Sequence, residues 1–353
     1  MAQQEMKPFE RGTRRRRNTV TSLPYLENQQ VDVLLPKTGI LQRVRLAVFM
    51  QATASAATAF AATNWRGALG ILPGITLETN QATQIFQGDA WSARLISFLQ
   101  PQRLYESSLV PDTLIIAPAG AGVFNISFSL EIPVSLNDGL NWTLGALNLQ
   151  SDDVEVRLKL TWGSFQNLFA VPGNISLISG LCIPEYQYLD VPDPTQFALP
   201  DLRYIHKTSL SSQDILADGD TRYVIPRGNI YTRLIHQIIV NNAPATTFKP
   251  NIRPAGNVQT MQLLLQQGVI DEKNFGYFLE MEQRRRYAQQ LPQGVFVMDN
   301  LYDTDIPGRF EFGYNLLDSN AYSDIQQIFG LQNTVLGSSK IWTIRQELVE
   351  LLD

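Results

Sequence analysis

The sequence predicts an all-β chain: two tandem sandwiches of similar size, each with one short helix, behind a flexible basic N-terminal arm. Three observations predict it. Two stretches alternate apolar with polar residues, a proline-rich segment lies just past the middle, and four arginines run together near the start.

Taken in chain order, residues 1–29 are the arm. They are rich in Gln and then carry Lys7, Arg11, Arg14, Arg15, Arg16 and Arg17. The first 20 residues hold six basic against two acidic side chains, a charge of +4. The whole chain is −5, so the remainder sums to −9. From Val31 the pattern is strand after strand. Residues 40–50, 68–78 and 114–117 are irregular β candidates, and 123–134 is unambiguous. There Phe124, Ile126, Phe128, Leu130, Ile132 and Val134 alternate with Asn125, Ser127, Ser129, Glu131 and Pro133. In 154–162, Val154, Val156, Leu158, Leu160 and Trp162 alternate with Glu155, Arg157, Lys159 and Thr161. A helix would spread such sets around its circumference, whereas a strand places each on one face. One buried and one wet face marks antiparallel sheets packed together. Pro133 marks a strand end or an edge, since proline cannot donate to a ladder.

A helix is predicted over 90–99, with Asp89 as N-cap and Pro101 just past its end. Residues 183–188 follow as a strand. Pro192, Pro194 and Pro200 then make 191–201 the linker between halves 30–190 and 202–353. In the second half, 223–225, 230–241, 294–298, 310–314 and 340–348 are strand candidates. A second helix is predicted over 275–290, with Glu280–Arg284 and Glu282–Arg286 as favourable i,i+4 pairs. Each half is the right size for one eight-stranded jelly roll, and each reads as strands, one helix, then strands.

The chemistry a catalyst needs is missing from these patterns. The histidines, His206 and His236, have no partner at ligand spacing. The pairs Asp152/Asp153, Asp218/Asp220 and Asp303/Asp305 sit beside Gly, Ser or Pro, where turn-forming Asp is the ordinary explanation. The single cysteine, Cys182, allows no intrachain disulfide and no Cys-based zinc site, and its apolar neighbours point to a buried thiol. No catalytic residue, metal ligand or cofactor is therefore expected. Asn125, Asn141 and Asn174 begin glycosylation sequons, but the chain shows no export signal. Nor does any run of about 18 apolar residues suggest a membrane span.

Composition points toward assembly. With 44% hydrophobic and 17% charged residues, the surface is neutral and polar, which suits a protein covered by copies of itself. Lectins and other sugar-binding modules share that trait. The arm has electrostatic weight: near an anionic leaflet each basic residue contributes about 1 kcal/mol. The same arm suits nucleic acid through counterion release, and the residues do not separate the two.

Four segments carry a family resemblance. They are MEQRRRYAQQLPQGVFVMDN (281–300), SKIWTIRQELV (339–349), GNIYTRLIHQIIVNN (228–242) and VRLKLTW (156–162). Taken together in chain order and at compatible spacings, they make the chain resemble the major coat proteins of tectiviruses and related membrane-containing bacteriophages. The resemblance implies two jelly rolls side by side and homotrimeric pseudo-hexagonal capsomers. It also implies an icosahedral shell around an internal membrane, with the arm on the inner face. The implied partners are the chain itself, neighbouring capsomers, minor capsid proteins and the viral membrane, with nucleic acid a lesser candidate. The implied location is the virion, after synthesis in the host cytoplasm. Arg284, Arg285 and Arg286 are read as helix-surface ion-pair residues, with an intersubunit contact as the alternative. A carbohydrate- or receptor-binding spike is the rival to a coat protein, and a jelly-roll enzyme the third reading.

Overall fold

The computed structural model describes residues 6–80, 83–99, 118–136, 143–266, 270–287, 291–300 and 316–350, the side chains of 270–275, 285 and 286 excepted. The expected strands at 114–117 and 310–314, Asn141, Pro101 and the Asp303/Asp305 pair lie outside the described residues. The chain divides into two compact units. One comprises Met1–Ala61, Arg66–Thr208 and Val349–Asp353; the other comprises Ala62–Trp65 and Ser209–Leu348.

The first unit is built from β1 (Arg15–Thr19), β2 (Gln30–Leu34), β3 (Ile40–Ala54), β4 (Gly74–Thr79), β5 (Thr83–Gly88), α1 (Ala90–Phe98), β6 (Gly122–Pro133), β7 (Val156–Thr161) and β8 (Ile175–Leu189). One sheet has the order β1-β8-β3-β6 and the other β2-β7-β4-β5. Neighbouring strands run antiparallel. The predicted alternation is realised in β6 and β7. Ile126, Phe128, Leu130 and Ile132 point inward opposite Met50, Val48, Leu46 and Val44 of β3. Leu158 and Leu160 do the same from the other sheet, beside Ile75 and Leu77 of β4. Each such buried side chain stabilises the fold by roughly 1.5–3 kcal/mol. Pro133 ends β6, an edge strand, where its missing N–H costs least. The predicted cap of α1 is present: Ser92 N–H donates to Asp89 Oδ1 at 2.7 Å, and Asp89 N–H donates to Ser92 Oγ at 2.8 Å.

Three sequence expectations need correction. Residues 68–78 are not one strand. Gly67–Ile71 form a 3-10 turn, and Pro73 separates it from β4. The apolar Leu69, Ile71 and Leu72 are buried there without joining a ladder. The second helix begins at Gly276 and not at 275, because Phe275 still pairs with Thr260 in a strand; residues 288–290 lie outside the described residues.

The largest correction concerns the arm. Over its described residues it is not unstructured. Arg15 to Thr19 pair with Leu189 to Glu185, so β1 is the outer strand of the first sheet. Ahead of it Phe9 is buried against Ile40, Ala146 and Leu189, and Lys7 N–H donates to Gln196 O at 2.9 Å. Pattern reading misses β1 because all five of its side chains are exposed, leaving no apolar period to detect. Backbone pairing to the open edge of β8 needs none.

The second unit repeats this plan. Its longer strands are β9 (Tyr204–Asp214), β10 (Gly219–Val224), β11 (Ile230–Val240), β12 (Val258–Leu265), β13 (Ile270–Phe275), β14 (Val295–Asp299), β15 (Ile325–Leu331) and β16 (Lys340–Glu350), with α2 (Gly276–Tyr287) between β13 and β14. The sheets run β9-β16-β11-β14 and β10-β15-β12-β13. Adding eight to every strand number of the first unit gives the second, and each helix falls between the fifth and sixth strands. Two four-stranded sheets so connected are a jelly roll. Its core includes Leu234, Ile238, Met261, Phe296, Phe329 and Ile341.

The match extends to register. Arg45 of β3 faces Glu131 of β6, and Arg233 of β11 faces Asp299 of β14. Three residues on, Val48 faces Phe128 and His236 faces Phe296. The two jelly rolls can therefore be compared position by position.

Candidate functional site

The residues set aside as non-catalytic have structural settings. His236 is buried in the second core, with Nδ1 3.0 Å from Thr343 Oγ1 and the ring edge-on to Phe329 and Tyr223. Burial depresses its pKa to about 4, with a smaller opposing contribution from Gln327. His206 is buried in the first unit. Asp218 accepts from Thr334 N–H and Oγ1–H, both at 2.7 Å. Those bonds hold its carboxyl below the usual carboxylate range. Asp152 and Asp153 are exposed in a turn. Among the described residues, no three His, Cys, Asp or Glu side chains are grouped to hold a metal ion. Cys182 lies within β8, and burial pushes its thiol up to about 12.

The basic residues near the N-terminus form part of a fixed surface. Lys7 Nζ lies 5.6 Å from the centre of the Phe197 ring, and Arg11 closes the short turn anchored by Phe9. On β1, side chains alternate in direction. Arg16 Nε donates to both carboxylate oxygens of Asp190, at 2.8 and 2.7 Å. Arg15 and Arg17 fall on the other face, in rows with Leu189 and Gln187 of β8, and Gln187 in turn pairs with Arg43. Partial burial first, then the charges of Arg43, Arg17 and Arg45, hold the Arg15 guanidinium below its ordinary pKa. Glu131 is buried beneath this cluster and serves two arginines: Arg43 Nη1 at 2.6 Å and Arg45 Nε at 3.1 Å. Pattern reading missed Arg43 and Arg45. Their alternation with Val44 and Leu46 was a signal, but the partnership with Glu131 spans 88 residues.

On α2, Arg284 Nη2 lies 3.6 Å from Glu280 Oε1, which realises one predicted i,i+4 pair. Glu280 is shared with Lys249 Nζ at 3.3 Å, and that ammonium sits 4.9 Å from the centre of the Tyr277 ring. Lys249, Arg253, Glu280 and Arg284 line a small cavity of about 150 Å³. Phe278 and Met281 of the same helix are exposed. The side chains of Arg285 and Arg286 lie outside the described residues, and so does the Glu282–Arg286 pair.

The outer faces of the two first sheets differ. In the second unit, Ile235, Gln237, Val295 and Val297 are at most 5% exposed. At the corresponding positions of the first unit stand Ala47, Phe49, Ser127 and Ser129, and Phe49 is 47% exposed.

No family model matches the chain, and no curated protein matches it in sequence. Solved structures do match its fold over nearly the whole length. The STIV MCP (from Sulfolobus Turreted Icosahedral Virus) is 12% identical with a TM-score of 0.71, covering 96% of this chain and 97% of that one. The PBCV-1 virus capsid chain is 11% identical at 0.65, covering 95% and 93%. The major capsid protein P2 from bacteriophage PM2 is 9% identical at 0.55, covering 96% and 98%. These likenesses establish the double jelly-roll fold.

Proposed function

We propose that the chain is the major capsid protein of an icosahedral virus. In this reading it assembles as homotrimeric capsomers into a shell around an internal membrane. One observation carries it: the likeness to capsid proteins spans both jelly rolls, covering 96% of this chain and 97% of the STIV MCP. A chain that shared only one sandwich with them would support much less, since single jelly rolls host many functions. The duplicated four-plus-four plan supports the same reading, because a subunit with two like halves can fill six positions of a hexagonal tile with three copies.

The basic residues contribute a membrane-facing surface in this proposal. Arg14, Arg15 and Arg17 are held on or beside an ordered strand, near Arg43 and Arg45, and so act as a fixed patch in place of a tether. Lys7 and Arg11 extend it. Arg284 at the α2 cavity serves contact with a neighbouring subunit.

Sizing of the purified chain with light scattering tests the reading. A stable trimer that assembles further is expected. A monomer as the sole species at high concentration overturns it.

A further inference from the structure

We infer that the cavity beside α2 is a binding site for one small oxyanion, a carboxylate or phosphate group. The site lies within the second jelly roll and stands whether or not the chain builds a shell. It begins with a tight hairpin between β11 and β12. Lys249 and Arg253 face each other directly across the loop of Pro250, Asn251 and Ile252. Lys249 N–H donates to Arg253 O at 3.1 Å, and Arg253 N–H donates to Lys249 O at 2.7 Å. Asn251, at φ 62°, supplies the left-handed residue that such a short loop needs. Residues opposed in this way carry their side chains on one face, about 5 Å apart, where like charges repel. The hairpin therefore holds two cations together at a cost that an anion between them would relieve.

Helix α2 adds a third cation and one carboxylate. Glu280 reaches Lys249 Nζ at 3.3 Å and Arg284 Nη2 at 3.6 Å, so a single negative charge is divided between two positive ones. Among the described residues, Arg253 has no ion-pair partner. The four side chains line the cavity with a net charge of +2. They do so in a chain that sums to −9 beyond residue 20. The internal counter-ion is present but insufficient.

Size and surroundings narrow the ligand. A cavity of about 150 Å³ has the room that admits a benzene ring elsewhere, which suffices for one carboxylate or phosphate group. The guanidinium forks of Arg253 and Arg284 match paired oxygens, and Lys249 adds a point charge. Leu291 and Phe296 contribute an apolar wall, which strengthens such charge-assisted bonds. Two sources offer this chemistry: a free anion, or an acidic side chain of a second copy. The second source alone rests on the capsid reading.

The test titrates the full chain with inorganic phosphate at fixed ionic strength, followed by calorimetry. Arg253→Gln and Arg284→Gln should each weaken binding at least tenfold. Arg222→Gln, which removes an exposed arginine of the same unit outside the cavity, should change it less than twofold. Glu280→Gln removes the internal competitor and should tighten binding at least threefold, a gain that loss of a merely structural residue would not give. Absence of saturable binding in wild type, or binding unmoved by all three cavity substitutions, overturns the site. Should the α2 variants fail to fold, Arg253→Gln decides, since its side chain is exposed in a loop. Assembly then separates the sources. Phosphate that raises the concentration needed for assembly at least threefold in wild type, but not in Arg253→Gln, gives the occupant as a carboxylate of a second copy. Assembly indifferent to phosphate gives it as a free anion. If wild type never assembles, the capsid reading falls and the titration still decides the site.

Discussion

The two jelly rolls agree in their interiors and part company on their surfaces. Strand order, helix placement and the Arg–carboxylate register coincide, at Arg45–Glu131 in one and Arg233–Asp299 in the other. Yet one outer face presents Phe49 and serines, and the other buries Ile235 and valines. One core holds Val48 where the other holds His236. The difference separates what the architecture demands from what each half has been given to do. The connected sheets and their internal ion pair are common property. The half-exposed Phe49 and the buried histidine belong to one half each.

The strongest way to break this comparison is to place a carboxylate at its matched aromatic. Phe128→Asp and Phe296→Asp should each cost at least about 5 kcal/mol, the loss of a buried ring plus an unpaired buried charge. Neither unit should then resist limited proteolysis. A stable Phe128→Asp protein beside an unfolded Phe296→Asp one would show that the positions do not correspond.

Next in size is the buried ion pair. Glu131→Gln and Asp299→Asn should each cost about 3–5 kcal/mol, read from the urea midpoint, because a buried arginine loses its carboxylate. Glu131 serves two arginines, so its replacement should cost more. Asp299 also accepts from Tyr287 Oη–H at 2.6 Å, which the amide oxygen of Asn can retain. Equal, negligible losses would remove the ion pair from the shared plan.

The histidine sharpens the comparison through pH. Its folded pKa, about 4, lies below the ordinary 6.5, so the folded state favours the neutral ring. The stabilisation is complete above pH 6.5 and is lost as pH falls through 4, a total of about 3 kcal/mol. His236→Val, which installs the residue of the other core, should abolish this part of the acid sensitivity. A variant whose thermal transition still drops as steeply between pH 6.5 and 4 would assign that sensitivity elsewhere. The smallest effect on stability is expected at the surface. Replacing Arg14–Arg17 by Ser should leave unfolding almost unchanged but weaken binding to anionic vesicles at low salt. Undiminished vesicle binding would remove the membrane-facing role.

Much of the fold was legible because period-2 alternation survives wherever one face is wet, as in β6 and β7. The run Ile230–Val240 was legible for a different reason: apolar residues fall on both of its faces, and every residue after Ile230 is buried. β1 was invisible: an edge strand with every side chain in water has no hydrophobic period, and four arginines read as a solvated tail. Residues 68–78 misled because apolar residues can fill a core from a 3-10 turn. The candidate surfaces were less legible still. Arg14 to Arg17 were evident as charge, but their seat beside Arg43 and Arg45 depends on β8 lying between β1 and β3. No local pattern encodes that order.

In each half, the strand at the centre of one sheet is also the last one synthesised. β8 lies between β1 and β3, and β16 between β9 and β11. Until residues 175–189 leave the ribosome, Arg15 to Thr19 have no partner, and β3 keeps one edge unpaired. Pairing across some 170 residues pays a large loop-closure cost before any contact rewards it, which places such topologies among the slow folders. A nascent chain of this kind exposes apolar strands for seconds at ordinary rates of translation. Such a chain would then depend on chaperones during synthesis more than on its final stability.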